Sequence, residues 1–235
     1  MARKRVLITG AAGFIGSYIR QNYGDRYIMR LADIAEIENP DGHEVMKADI
    51  ADLDQMQRAC EGMDTVVHLA ADRSPAADFY KTLLSLNIIG TYNVFQAAKD
   101  QGCERVVFAS SINAMLAYPT DLSVTWDMPV NPPNVYGVTK CFGEALGRCF
   151  AHDGLSSIAI RIGGIKREGE PARNQGDMGQ GWISQRDLAQ LIGCCIDVEG
   201  VDFAIVHGQS RHKTPRLDIS HTCEILGYEP QDGTI

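Results

Sequence analysis

The chain has 235 residues, 45% of them hydrophobic and 22% charged, the balance of a globular protein long enough to bury a sizeable core. Its 22 Lys and Arg against 30 Asp and Glu leave a net charge of −8, and ARKR at residues 2–5 is the one basic cluster, so no nucleic-acid-binding stripe is expected. No apolar run reaches the roughly 18 residues that cross a bilayer, VLITG at 6–10 is too short for a secretory signal, and seven scattered cysteines without a C-x-x-C pair argue for reduced thiols in a cytoplasmic protein.

A first strand is expected over KRVLIT (4–9), followed by TGAAGFIG (9–16), which opens a helix over 14–23. Gly10, Gly13 and Gly16 fall in a strand–turn–helix context, with Phe14 and Ile15 between them. Each glycine has a job there: a tight turn, close backbone approach to a pyrophosphate, and close packing of helix on strand. The helix N-terminus then turns N–H groups and a positive dipole end toward the phosphates. The second strand, RYIMRLAD (26–33), ends in Asp33, 17 residues after Gly16 (33 − 16). A carboxylate there accepts from an adenosine ribose and repels a 2′-phosphate, which favours NAD over NADP.

HEVMKAD (43–49) is the third expected strand, and it ends in Asp49, within reach of an adenine amino group, with Ile50 beside it. Asp52 is the better N-cap for the helix over 52–60. DTVVHLAA (64–71) is the fourth strand, whose Leu69, Ala70 and Ala71 would line the middle of a dinucleotide. A long apolar helix over 76–100 precedes the fifth strand, ERVVFASS (104–111). VYGVTK opens the helix over 134–152, where Tyr136 and Lys140, four apart, share a face. The sixth strand is SSIAIRIGG (156–164), then a helix over 184–197 and a seventh strand, VDFAIVHG (201–208). Ser184 and Asp187 read as a capping box, S-x-x-D before an apolar run. Residues 166–181 carry no periodicity and suit a substrate loop or a plain surface loop.

This alternation predicts an α/β fold, a doubly wound parallel sheet (Rossmann fold), with strands buried on both faces. It implies a single NAD-binding domain over 1–235, with a short C-terminal substrate-binding part drawn mainly from 163–183 and 208–235. Gly10, Asp33, Asp49, Ala70, Ser111 and Ile162 all fall at or just past carboxyl ends of strands, where the ligand crevice of such a sheet lies. The six histidines are dispersed, so no metal site is expected.

Taken together, TGAAGFIG, Asp33, ADI at 48–50, HLAA at 68–71, Asn87, ASS at 109–111 and YGVTK at 136–140 resemble the extended branch of the short-chain dehydrogenase/reductase family. RLADI (30–34), LNIIGTYNVFQAAK (86–99), VYGVTKCFGEALGR (135–148) and RIGG (161–164) are most similar to uronate dehydrogenases, which oxidise hexuronic acids with NAD. The resemblance implies NAD held by Gly10, Gly13, Phe14, Ile15, Gly16, Asp33, Asp49, Ile50, Leu69, Ala70, Ala71, Asn87, Tyr136, Lys140 and Ile162. It implies that Ser111, Tyr136 and Lys140 are catalytic, with Tyr136 as base. A free tyrosine has a pKa of about 10, and a cation at Lys140 would lower it.

Asn87 is placed either to pin a water in the proton relay or to join two helices. The substrate side follows the family less closely, since Ile112 and Asn113 follow Ser111 where the family has an Asn-His pair, and Gly164 stands for a serine. Arg73, Ser74, Ser111, Asn113, Tyr136, Gly164 and Arg173 are the substrate-binding candidates, with Arg73 or Arg173 as the carboxylate clamp. The resemblance implies a homodimer, since family members often pair through the helices that correspond to 76–100 and 134–152. The expected activity is oxidation of a sugar hydroxyl, foremost the anomeric hydroxyl of a hexuronic acid or related sugar. A sugar epimerase or dehydratase that retains its NAD is the alternative, and a non-catalytic dinucleotide sensor a further one.

Overall fold

The computed structural model describes residues 3–166 and 181–234. Seven parallel strands form the central sheet: β1 (Arg5–Thr9), β2 (Ile28–Asp33), β3 (Glu44–Lys47), β4 (Thr65–His68), β5 (Arg105–Ser111), β6 (Ser156–Ile162) and β9 (Phe203–Gly208). Their spatial order is β3-β2-β1-β4-β5-β6-β9. The chain builds outward to one side through β2 and β3, then returns to build the other side from β4 onward. The crevice that opens between β1 and β4 is the switch point at which such sheets bind ligands.

Strand β1 shows why the sheet is doubly covered. Val6 and Ile8 point into one core layer and Leu7 into the other, and all three are fully buried. The layer on the Val6 side packs under α1 (Phe14–Tyr23), α5 (Gln185–Asp197) and α6 (Ser220–Leu226). The opposite layer packs under α2 (Leu53–Cys60), α3 (Thr91–Asp100) and α4 (Val135–His152). A third, smaller cluster of Ile112, Ala114, Met115, Val124 and Leu217 secures the long connection from β5 to α4.

Several boundaries depart from the sequence pattern. The third strand is four residues long rather than seven, because it is a polar sheet edge: only Met46 of its residues is partly sheltered, and Val45 is exposed. The fourth strand stops at His68, so Leu69–Ala71 turn away past its end instead of extending it. The helix expected over 76–100 starts at Phe79 and is wound as a wide π-type helix through Gly90 before α3 continues it. Asp78 caps it, taking the N–H groups of Tyr80 and Lys81. Asp52 does cap α2, accepting from the Gln55 N–H at 3.0 Å.

Half of the expected capping box forms at α5. Ser184 accepts from the Asp187 N–H, but the Asp187 carboxylate turns inward, and the Ser184 N–H goes to Ser210 instead. The C-terminal region also holds short elements that no periodicity announced. β7 (Gly164–Lys166) pairs with β8 (Trp182–Ser184), and β10 (Arg211–His212) with β11 (Gly233–Thr234). All seven cysteines are free. Among the described residues no helix is long and apolar enough to cross a membrane, and no cluster of His, Cys, Asp or Glu could hold a metal ion.

Candidate active site

A cleft of about 410 Å³ runs along the carboxyl ends of β1, β2, β4, β5 and β6. The glycine turn forms its floor. Gly10 adopts φ +71°, the left-handed region, and a Cβ there would stand 2.7 Å from the Ala70 nitrogen. Any other residue there would collide with the Leu69–Ala70 backbone in a conformation strained for it. Helix α1 begins at Phe14 with Gly13 as its cap, a residue with no side chain of its own, and its positive end faces the cleft.

Asp33 ends β2 in the same cleft, accepting from the Ala12 N–H on one oxygen and the Ala35 N–H on the other, both at 2.9 Å. It therefore braces the glycine turn while its carboxylate lines the cleft. Asp49 accepts from the Ala51 N–H and, with Ile50, lines the far end. Leu69, Ala70 and Ala71 line the middle, and Ile162 the end near β6. These are backbone cradles and small side chains over an elongated trough, ending in an acid with open acceptor positions. They fit an adenine dinucleotide.

At the opposite end, Ser111, Tyr136 and Lys140 converge, all three buried and all lining the cleft. Ser111 is the last residue of β5, and Tyr136 and Lys140 sit on the first turns of α4. Helix α4 can come this close because position 137 is glycine: a Cβ there would strike the Asn113 carbonyl. The Lys140 Nζ lies 5.6 Å from the Tyr136 ring centre and 5.1 Å from that of Phe108. Burial pushes the Lys140 ammonium down to about 8. Burial also pushes the Tyr136 phenol up, against the downward pull of the Ser111 hydrogen bond and the Arg73 charge, while Asp72 adds to the rise. The expected depression of Tyr136 by Lys140 is thus not what this site shows; desolvation dominates. Under the site, His68 bonds Thr9 at 2.8 Å, and burial followed by the Lys140 charge holds it down to about 3, a neutral ring.

The substrate candidates divide. Arg73 lines the cleft, is exposed, and has no hydrogen bond or ion pair among the described residues. Ser74 does not line it; its hydroxyl accepts from the Ala76 N–H in the loop. Gly164 lies in β7 beside the lining residues Gly163 and Ile165. Arg173 lies outside the described residues.

Two asparagines bond within the protein. Of the two readings offered for Asn87, a relay water or a bond between helices, the second describes its contacts. Its amide brackets the backbone of Asp72 on both sides and reaches Thr139 Oγ1 at 3.1 Å, joining the wide helix to α4. Asn113, offered as a sugar contact, bonds Ser111 and Asn134.

Sequence reasoning missed a buried pair beneath the site. Glu144 on α4 accepts from Arg161 on β6 through two bonds of 2.9 Å, and from Ser110 at 2.6 Å. The signal was present: a carboxylate inside CFGEALG and a guanidinium inside SSIAIRIGG, each alone in an apolar run.

A model of the NAD dependent epimerase/dehydratase family matches residues 6–173. The chain is 36% identical over 249 residues to the NAD-dependent glucose-6-phosphate dehydrogenase of Haloferax volcanii, covering 97% of this chain and 94% of that protein. It is 30% identical to the L-arabinose 1-dehydrogenase (NAD(P)(+)) of the same organism, with 98% and 97% covered. A variant of uronate dehydrogenase from Agrobacterium tumefaciens, solved in complex with NAD, is 33% identical and shares the fold at a TM-score of 0.89, over 99% of this chain and 86% of that one.

Proposed function

The chain belongs to the NAD dependent epimerase/dehydratase family and is an NAD-dependent oxidoreductase of sugar hydroxyls; from that premise we propose that it oxidises the anomeric hydroxyl of a hexuronic acid or a related free sugar that carries an anion at carbon six. The observation that carries the reading is the convergence of Ser111, Tyr136 and Lys140 at one end of the dinucleotide cleft, with Arg73, which has no ion pair among the described residues, at the same mouth. Uronates and hexose 6-phosphates share a carbon-six anion, and a guanidinium binds either by a forked pair of bonds.

When bound, NAD supplies the hydride acceptor and a positive ring charge beside Tyr136. The phenolate oxygen of Tyr136 would take the hydroxyl proton as the C–H bond breaks and the lactone C=O forms, so the substrate loses one hydride, which carries both electrons to NAD, and one proton, which goes to Tyr136. Ser111 donates to the reacting oxygen and steadies its developing charge. Lys140, at about 8, stands close enough to neutrality to pass the proton from Tyr136 toward water. Residues 163–183 and 208–235 supply the substrate side of what we read as one domain spanning 1–235. We also read the chain as a cytoplasmic homodimer. Its seven thiols are unbridged, and Ile89, Tyr92 and Val138 on the outer helices leave apolar surface for a second copy.

The test is NADH formation with purified protein and a panel of galacturonate, glucuronate, glucose 6-phosphate and L-arabinose. Turnover with the anionic sugars and weak or no turnover with arabinose is expected. Turnover with arabinose alone would remove the anion from the proposal. No NADH from any of them, with NAD co-purifying, would replace it with the epimerase reading.

A further inference from the structure

A chain of hydrogen bonds runs from the cap of α4 to the catalytic serine, and its direction is fixed by one backbone group. The Gly137 N–H donates to Asn134 at 2.8 Å. A backbone N–H can only donate, so the oxygen of the Asn134 amide must face it. The nitrogen of Asn134 then faces Asn113, 2.9 Å away. That NH₂ can also only donate, so Asn113 presents its oxygen to Asn134 and its own NH₂ to Ser111 Oγ, at 3.3 Å. The backbone N–H of Asn113 donates to the same Oγ at 3.2 Å. Both acceptor positions of the Ser111 hydroxyl are therefore filled, and its proton is left for the direction of the cleft and Tyr136.

We propose that Asn134 and Asn113 are positioning residues that make Ser111 a one-way donor toward Tyr136 and the reacting oxygen. Ser111 would otherwise rotate freely and offer lone pairs to the group it must stabilise. The device also ties the direction of that donor to the helix that bears Tyr136, since Asn134 caps the first turn of α4. The groups facing Tyr136 are Arg73 and Asp72 from the segment after β4, Lys140 from its own helix, and Ser111 from β5.

Asn134→Asp tests the direction without removing the cap. The new carboxylate still accepts from the Gly137 N–H but cannot donate, so the Asn113 amide turns over and presents its oxygen to Ser111. Asn134→Ser, a neutral cap, breaks the chain without reversing it. The first readout needs no substrate: the phenolate absorbance of the NAD complex is titrated and the same titration of Tyr136→Phe subtracted. We expect the Tyr136 midpoint to rise by about 0.5–1 pH unit in Asn134→Asp, in high salt as in low, and by less in Asn134→Ser. Thermal midpoint and NAD affinity should stay near those of the parent chain. The kinetic readout, which rests on the dehydrogenase reading, is a kcat loss of about 10–100-fold with KM nearly unchanged. An unmoved midpoint in folded Asn134→Asp would overturn the proposal. So would a shift that vanishes in high salt, which would mark a charge effect alone. A shift of the midpoint in a variant inactive on every sugar would leave the positioning intact and indict the substrate reading.

Discussion

The glycine turn under the cleft and the C-terminal region are held together by different means. On the cofactor side, backbone geometry does much of the work: Gly10 in its left-handed turn and Gly13 at the helix start, with the Asp33 carboxylate bracing the turn from 21 residues away. In the C-terminal region, side chains bridge long stretches of chain. Asp187 takes the Ser210 hydroxyl at 2.6 Å and the Gln231 N–H at 2.7 Å, 23 and 44 residues away, and Asp232 in turn takes Ser184 Oγ at 2.7 Å, 48 residues away. Dinucleotides offer the same phosphates and ribose to every enzyme that binds them, and a backbone cradle suffices. A particular sugar needs particular side chains, and those must be fixed from elsewhere in the chain.

The largest expected effect lies at the point where the two sides meet. Tyr136→Phe should lower kcat by about 10³–10⁴-fold while NAD binding, measured by fluorescence quenching, changes little. Retained turnover would show that another group takes the proton. Next is the buried pair under the site. Glu144→Ala strands the Arg161 charge between β6 and α4 and frees Ser110, next to Ser111. Breaking a buried pair in this way costs on the order of 4 kcal/mol, read by urea unfolding. A loss under about 1 kcal/mol would show that water reaches Arg161.

This contrast also explains what the sequence revealed. The turn, the acid after the second strand, and Ser111, Tyr136 and Lys140 were legible because each depends on a local spacing and on the end of a strand. For Asn87 both a relay water and a bond between helices were open, and the second describes its contact with Thr139; for Asn113 the bonds to Ser111 and Asn134 went unannounced. Each lies within reach of the cleft and of a backbone or side-chain partner, and sequence position does not say which of the two an amide will face. Asp187 was read as half of a capping box because its partners, Ser210, Gln231 and Asp232, lie too far along the chain for any periodic pattern to include. Glu144 and Arg161 were visible as isolated charges in apolar runs; a search for such pairs would have found them.

Asp187→Ala probes the far side without touching the cleft. It removes the acceptor for Ser210, Gln231 and Asp232 and should cost about 2–3 kcal/mol, with KM for the sugar rising more than the Kd for NAD. Equal rises in both would dissolve the distinction between the sides. Arg73→Ala should raise KM for an anionic sugar about 10–30-fold and leave kcat within about twofold, since a charge-assisted hydrogen bond is worth roughly 1.5–3 kcal/mol. A neutral sugar should be indifferent to the change. If KM is unmoved for every sugar, the clamp is another residue.

The smallest effect compares the stability of the two regions directly, through one buried histidine in each. His68, at the end of β4, is held down to about 3 by burial and then by the Lys140 charge. His207, in β9, is held down to about 4 by burial and then by Arg161. Both stay neutral in the folded chain at pH values where an unfolded histidine, near 6.5, is already protonated. The unfolded state therefore binds more protons between pH 6.5 and those depressed values, and stability falls as pH falls through that window. From pH 6.5 to 5.5 each histidine should withdraw about 1 kcal/mol, and His68→Gln or His207→Gln should each remove its own share of that slope. If the cofactor and substrate sides unfold as one unit, the two variants flatten the acid limb of global urea unfolding equally. Should the C-terminal elements open first, His207→Gln would act on an early, separate transition and His68→Gln on the main one. The equality or inequality of two small slopes thus decides whether β9, the last strand of the sheet, unfolds with the strands around β4 or ahead of them.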